Sequence, residues 1–175
     1  MVNIKGSHGT TCVRANKIKS EGFITSGGRY VKGVYFWKEC YHDYNLAVGW
    51  YNHCFASGLY SDEDSPQCAV IYVKLCCKDD EILDLERADL KDRLAKLADS
   101  RHINQNNNRE IKSLYTYVIR EMERIIGIKY KLFLLNVEPP KVEYCPKYKS
   151  RLLGYPTCVI AVSNENISIE NIQRG

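Results

Sequence analysis

The sequence of 175 residues predicts an α+β fold, a mainly antiparallel sheet with two or three flanking helices, in one domain spanning 1–175. Three observations carry that expectation. The run "CAVIYVKLCC" (68–77) is dense in β-branched and aromatic residues, as strands are. "RADLKDRLAKLADS" and "REIKSLYTYVIREMERIIG" repeat apolar residues at helical spacing. Hydrophobic residues make up 45% of the chain and charged residues 26%, a balance that sustains a core and argues against disorder.

Residues 2–5 read as a short strand entering a turn at His8. "CVRANKIKSEGF" spaces Val13, Ala15 and Ile18 as a helix does, with Thr10 or Thr11 to cap its start and Gly22 to stop it. A loop and then a strand over 33–37 follow. "DYNLAVGWYNHCFAS" predicts a second helix, capped by Asp43, with Leu46, Ala47, Trp50 and Phe55 on its apolar face. "SDEDSPQ" (61–67) reads as an acidic surface loop and "EILDL" as a short strand. The helix over 87–100 puts Leu90, Leu94 and Leu97 on one face, and "HINQNNN" separates it from the longest helix, which Gly127 closes. On that helix Tyr115, Tyr117 and Ile119 are expected in the core. Strand 129–137, the Pro139-Pro140 break, a basic aromatic loop over 141–155, a strand at "TCVIAVSN" and a last one at "ENISIENI" complete the chain.

Eight cysteines lack any C-x-x-C pair, and Cys68, Cys76 and Cys158 sit inside apolar runs, where a reduced thiol acts as a small hydrophobe. His42, His53 and His102 lack ligand spacing with carboxylates or thiols, so no metal is expected. No apolar run approaches the ~18 residues of a membrane span, and the first residues lack the layout of a secretory signal. A cytoplasmic protein with no membrane partner is the expectation. Residues 1–108 carry 14 basic against 14 acidic side chains, and 109–175 carry 11 against 7, so the net charge of +4 resides in the C-terminal part.

Three pieces are bland when taken singly: His8-Gly9-Thr10 as a polar turn, "GVYF" (33–36) as a strand entered through glycine, and Glu165 as a solvated acid. Their order is more specific. "HGTTxxxAxxIxxxGF", then "GVYF", then an alanine–aromatic helix, then "NENISIENIQ" (164–173) resembles the ADP-ribosyltransferase superfamily, in its His-Tyr-Glu branch of poly(ADP-ribose) polymerases and diphtheria-type toxins. Asn166 stands where that branch usually has an aromatic residue. Ser163 replaces the acid or amide that the arginine-modifying branch carries two residues before its glutamate.

The resemblance implies a split sheet and NAD as substrate. It implies that the backbone of Gly9 pairs with the carboxamide, His8 with a ribose hydroxyl on the adenosine side, and Thr10 with the nicotinamide ribose. Tyr35 is expected to stack on the nicotinamide, with Trp50 or Tyr51 closing the clamp. Breaking the glycosidic bond builds positive charge on the ribose, and Glu165 on the 2′-hydroxyl is expected to stabilise it. A single glutamate with no chain-extension signature suggests mono-ADP-ribosylation. The acceptor is expected to be nucleic acid or protein, met by Lys147, Tyr148, Lys149 and Arg151, since cations suit phosphates and tyrosines stack on bases. Small transferases of this kind resemble bacterial toxin–antitoxin or phage-defence effectors, which brings in an antitoxin protein as a further partner. The alternatives are an NAD glycohydrolase and a silent nucleic-acid-binding module on the same fold.

Overall fold

Ten consecutive antiparallel pairings, from Val2↔Cys77 to Thr11↔Cys68, make the spine of the protein in a computed structural model that describes residues 1–25, 28, 30–64, 66–104, 106–140 and 154–175. In chain order the elements are β1 (Val2–Thr11), α1 (Cys12–Glu21), β2 (Val34–Lys38), α2 (Asp43–Ala56), β3 (Cys68–Cys77), β4 (Ile82–Asp84), α3 (Ala88–Ser100), α4 (Asn108–Ile126), β5 (Leu132–Asn136), β6 (Thr157–Ala161) and β7 (Ile167–Arg174). The fold is α+β, with four helices among the described residues where the sequence reading expects two or three. The seven strands lie in the order β4-β5-β6-β2-β1-β3-β7, antiparallel throughout except for the β4–β5 pair. Among the described residues no helix is long and apolar enough to cross a membrane.

Side-chain alternation assigns each strand two faces. One face presents Ile4, Phe36, Ile71, Val73, Leu75 and Val159 to Ala15 and Ile18 of α1. The other presents Trp37 and Val70 to Leu46 and Ala47 of α2, and Phe133, Leu135 and Ile160 to α3 and α4. Phe36, Leu46, Ile71 and Ile160 are almost wholly buried, each contributing about 1.5–3 kcal/mol of transfer free energy.

β1 is more than twice as long as expected, because β3 pairs its full length; His8 therefore lies in a strand and not in a turn. On its other side β1 meets β2 at Gly6↔Lys38 and Ser7↔Trp37 alone, while the far edge of β2 pairs with β6 from Val34 to Trp37. The sheet thus opens between β1 and β2 from His8 onward. Gly6 makes the last contact tight: a Cβ there would lie 2.9 Å from the Cβ of Phe36.

Thr11, one of the two expected caps, starts α1 by accepting from the Arg14 amide at 3.1 Å. Its hydroxyl donates to Glu63 Oε1 at 2.9 Å, and Arg14 donates to the same oxygen at 2.8 Å and to Asp62 at 2.8 Å. The side chain of Glu63 is only 8% exposed, so the expected acidic surface loop is in part a buried clasp on the β1–α1 corner. Asp43, expected to cap α2, is its first helical residue, and Tyr51 and Cys54 take the inner face assigned to the exposed Trp50 and Phe55. Of the tyrosines expected in the α4 core, Tyr115 is half-buried and Tyr117 exposed, while Ile119 is buried. The thiols of Cys54, Cys77 and Cys158 are buried, and burial pushes that of Cys158 up to about 12.

Candidate functional site

His8 occupies the point where β2 leaves β1. Its Nδ1 lies 3.0 Å from the carbonyl oxygen of Tyr35, a group that β1 does not pair. The ring stands edge-on to Phe23 at 5.5 Å and Phe36 at 5.9 Å. Desolvation by these neighbours lowers the imidazole pKa from 6.5, more than the hydrogen bond to Tyr35 raises it, although the residue keeps some solvent contact. The ring is therefore neutral at pH 7. A carbonyl only accepts, so Nδ1 carries the proton and Nε2 holds the free lone pair. His8 is an acceptor of fixed tautomer.

Gly9 is buried beneath α2. A Cβ on it would fall 1.8 Å from the carbonyl oxygen of Ala47, so only glycine lets the helix sit there. On this face it is α2 that approaches the Gly9 backbone closely. Thr10 is 4% exposed and hydrogen-bonds the phenol of Tyr60, itself driven upward in pKa by burial.

Tyr35 follows the alternation to the face opposite His8. Its hydroxyl donates to the Val31 carbonyl at 2.9 Å and accepts from the amides of Tyr30 at 3.2 Å and Val31 at 3.1 Å, closing the turn before β2. A Cβ on Gly28 would lie 2.1 Å from the ring, so this glycine's backbone lies against the phenol. His8 and Tyr35 are joined through the Tyr35 carbonyl and not through the phenol.

Glu165 is exposed in a one-turn helix, Asn164–Asn166. Asn164 accepts from the Phe23 amide at 2.9 Å and donates to its carbonyl at 2.8 Å, while Asn166 donates to Cys76 O at 2.9 Å. β7 then begins opposite Leu75, which faces Ile4 of β1, four residues or ~13 Å along the strand from His8. No hydrogen bond or ion pair among the described residues joins Glu165 to His8 or Tyr35. Its charge acts instead on Lys131, whose pKa it helps Glu81 to raise. Trp50 is 41% exposed and tilts over His53 at 5.5 Å. Tyr51 is spent in the core: its hydroxyl donates to Pro66 O at 2.7 Å and its ring stacks on Tyr60 at 5.5 Å. Lys147, Tyr148, Lys149 and Arg151 lie outside the described residues.

Asp43 lies on the α2 face of the sheet, opposite the face that holds the His8 ring. Its backbone carbonyl accepts from the buried Ser7 hydroxyl at 3.0 Å, and it stands one helical turn before the Ala47 that covers Gly9. Desolvation raises its pKa, opposed by the Tyr44 amide at 2.7 Å and assisted by the charge of Glu39. Asp43 also lies close enough to Tyr72 to help raise that phenol's pKa. The sequence offers the i, i+4 spacing of Asp43 and Ala47, but nothing in it places Ala47 on Gly9. No protein-family model and no curated protein matches the chain.

Proposed function

We propose that the protein is an NAD-dependent mono-ADP-ribosyltransferase whose nucleotide site lies where β1 and β2 diverge. The observation that favours it is the neutral His8 with its proton committed to Tyr35 O, which leaves Nε2 to accept from a ribose hydroxyl. In the reaction the bond between the ribose C1′ and the nicotinamide nitrogen breaks, and nicotinamide leaves with the electron pair. The acceptor's nucleophile bonds to C1′ and gives up its proton. Positive charge peaks on the ribose between these events, so a nearby carboxylate stabilises the transition state more than the ground state. The motif resemblance gives that role to Glu165.

Incubation with adenylate-labelled NAD and lysate tests the reading. Wild-type protein is expected to label macromolecules, and Glu165→Gln to lose on the order of 10²–10³ in rate. Undiminished labelling by Glu165→Gln would take that role from Glu165. The separation of Glu165 from His8 favours a second reading, a silent nucleic-acid-binding module, and intact NAD with no label in any sample would overturn the transferase reading and leave that one.

A further inference from the structure

The outer face of α4 carries a feature that the NAD site does not use. Arg109, Lys112, Thr116 and Arg120 recur on one side of the helix, opposite the buried Leu114 and Val118. With Arg101 from the end of α3 and Ser113, they line a cavity of ≈ 440 Å³, walled at one end by Tyr117. Four cations converge there with no carboxylate in the lining. None of the four is in an ion pair among the described residues, although α4 and its flanks supply Glu110, Glu121 and Glu123. Those acids are engaged elsewhere: Glu110 caps Asn104 and Asn107, Glu121 holds Arg124, and Glu123 holds Lys129. The Arg101 guanidinium lies 4.2 Å over the Tyr117 ring, and that residue is 40% exposed.

Grouping like charges in a concavity without counter-ions is unfavourable for the protein alone and favourable for a polyanion. We infer that this trough binds single-stranded nucleic acid through its phosphate backbone. Arg109 to Arg120 spans ~16 Å of helix, enough to meet several successive phosphates. The hydroxyls of Ser113 and Thr116 add neutral donors suited to phosphate oxygens. Arg101 on Tyr117 forms the aromatic-plus-guanidinium platform on which unpaired bases stack. Past Tyr117 the adjoining cavity of ≈ 410 Å³ sets Asp89 and Asp92 against Arg93 and Lys96, so the purely cationic surface ends at Tyr117. The inference does not rest on the transferase reading.

The test is fluorescence anisotropy of the full chain with a labelled single-stranded RNA of roughly 15 nucleotides, without NAD, across a salt series. With four phosphate contacts, log K is expected to fall with log salt at a slope of about −3. Arg109→Gln/Lys112→Gln/Arg120→Gln is expected to cut that slope by about 2 and weaken binding by about tenfold or more at low salt. Lys17→Gln/Lys19→Gln/Lys38→Gln, with the same change in net charge, should leave the slope unaltered. All six residues lie at the surface, and circular dichroism confirms that both variants fold. Equal losses in the two triple variants, no binding, or tighter binding of polyglutamate or phosphatidylserine vesicles than of RNA would each overturn the inference. The assay reads binding alone, so a failed NAD reaction and a failed trough are distinguishable.

Discussion

Two arginine–tyrosine pairs in this protein have similar geometry and different surroundings. Arg14 lies 4.8 Å over Tyr60 and is held by Glu63, Asp62 and the Leu59 carbonyl; Arg101 lies 4.2 Å over Tyr117 and meets no acid among the described residues. The first pair ties the β1–α1 corner to the chain ahead of β3, and every charge in it is answered. The second stands at the mouth of a trough with three more unanswered cations. The stacking geometry is shared, so it is the counter-charges that separate a structural arginine from a candidate binding one. His8 shows a third treatment of charge in a dense interior, which is to remain uncharged.

Removing Arg14 should break the comparison most visibly. Glu63 is buried and its Oε2 has no partner among the described residues, so Arg14→Met leaves an uncompensated carboxylate. A loss of about 3 kcal/mol or more is expected in urea unfolding, with the midpoint lowered and the m-value unchanged. A cost below about 1 kcal/mol would place the clasp among ordinary surface ion pairs.

A smaller effect is expected from acid. Unfolded His8 takes a proton near 6.5, whereas burial lowers the folded pKa, so between the two values the unfolded chain holds more protons. Stability is then full above pH 6.5 and falls as pH drops through that value, levelling below the folded pKa. Melting temperatures in 0.5-unit steps should show this slope in wild type and a flatter profile in His8→Gln, whose other three histidines are unchanged. Identical profiles would mean that His8 is not desolvated. The smallest effect belongs to Arg101→Met, which should change stability by no more than ~0.5 kcal/mol, because no partner is left uncompensated. A loss matching that of Arg14→Met would make Arg101 structural too.

Local signals carried much of the architecture. β3, α1 with its Thr11 cap and Gly22 stop, and α4 closed by the left-handed Gly127 follow from alternation, helical spacing and capping chemistry, all of which act within a few residues. Longer-range pairing set the rest. β1 gained its second half from ten partners in β3, and the one parallel contact, β4 with β5, joins segments separated by α3 and α4.

The candidate site divides the same way. His8, Gly9 and Tyr35 were legible as a motif, because each needs a residue type with one special property: a titratable acceptor, a missing Cβ, an aromatic face. Their mutual placement was not, since strand alternation sends Tyr35 and His8 to opposite faces and the β6-to-β7 connection leaves Glu165 displaced from His8 along the sheet. By itself the sequence determined which residues are chemically able to act and which segments are helix or strand. Only the tertiary structure decided that Ala47 covers Gly9, that Glu63 closes on the β1–α1 corner, and that four α3–α4 cations share one trough. Residue chemistry and backbone propensity are local properties, whereas these contacts join positions up to fifty-two residues apart and form only when the sheet and its helices close on a common core.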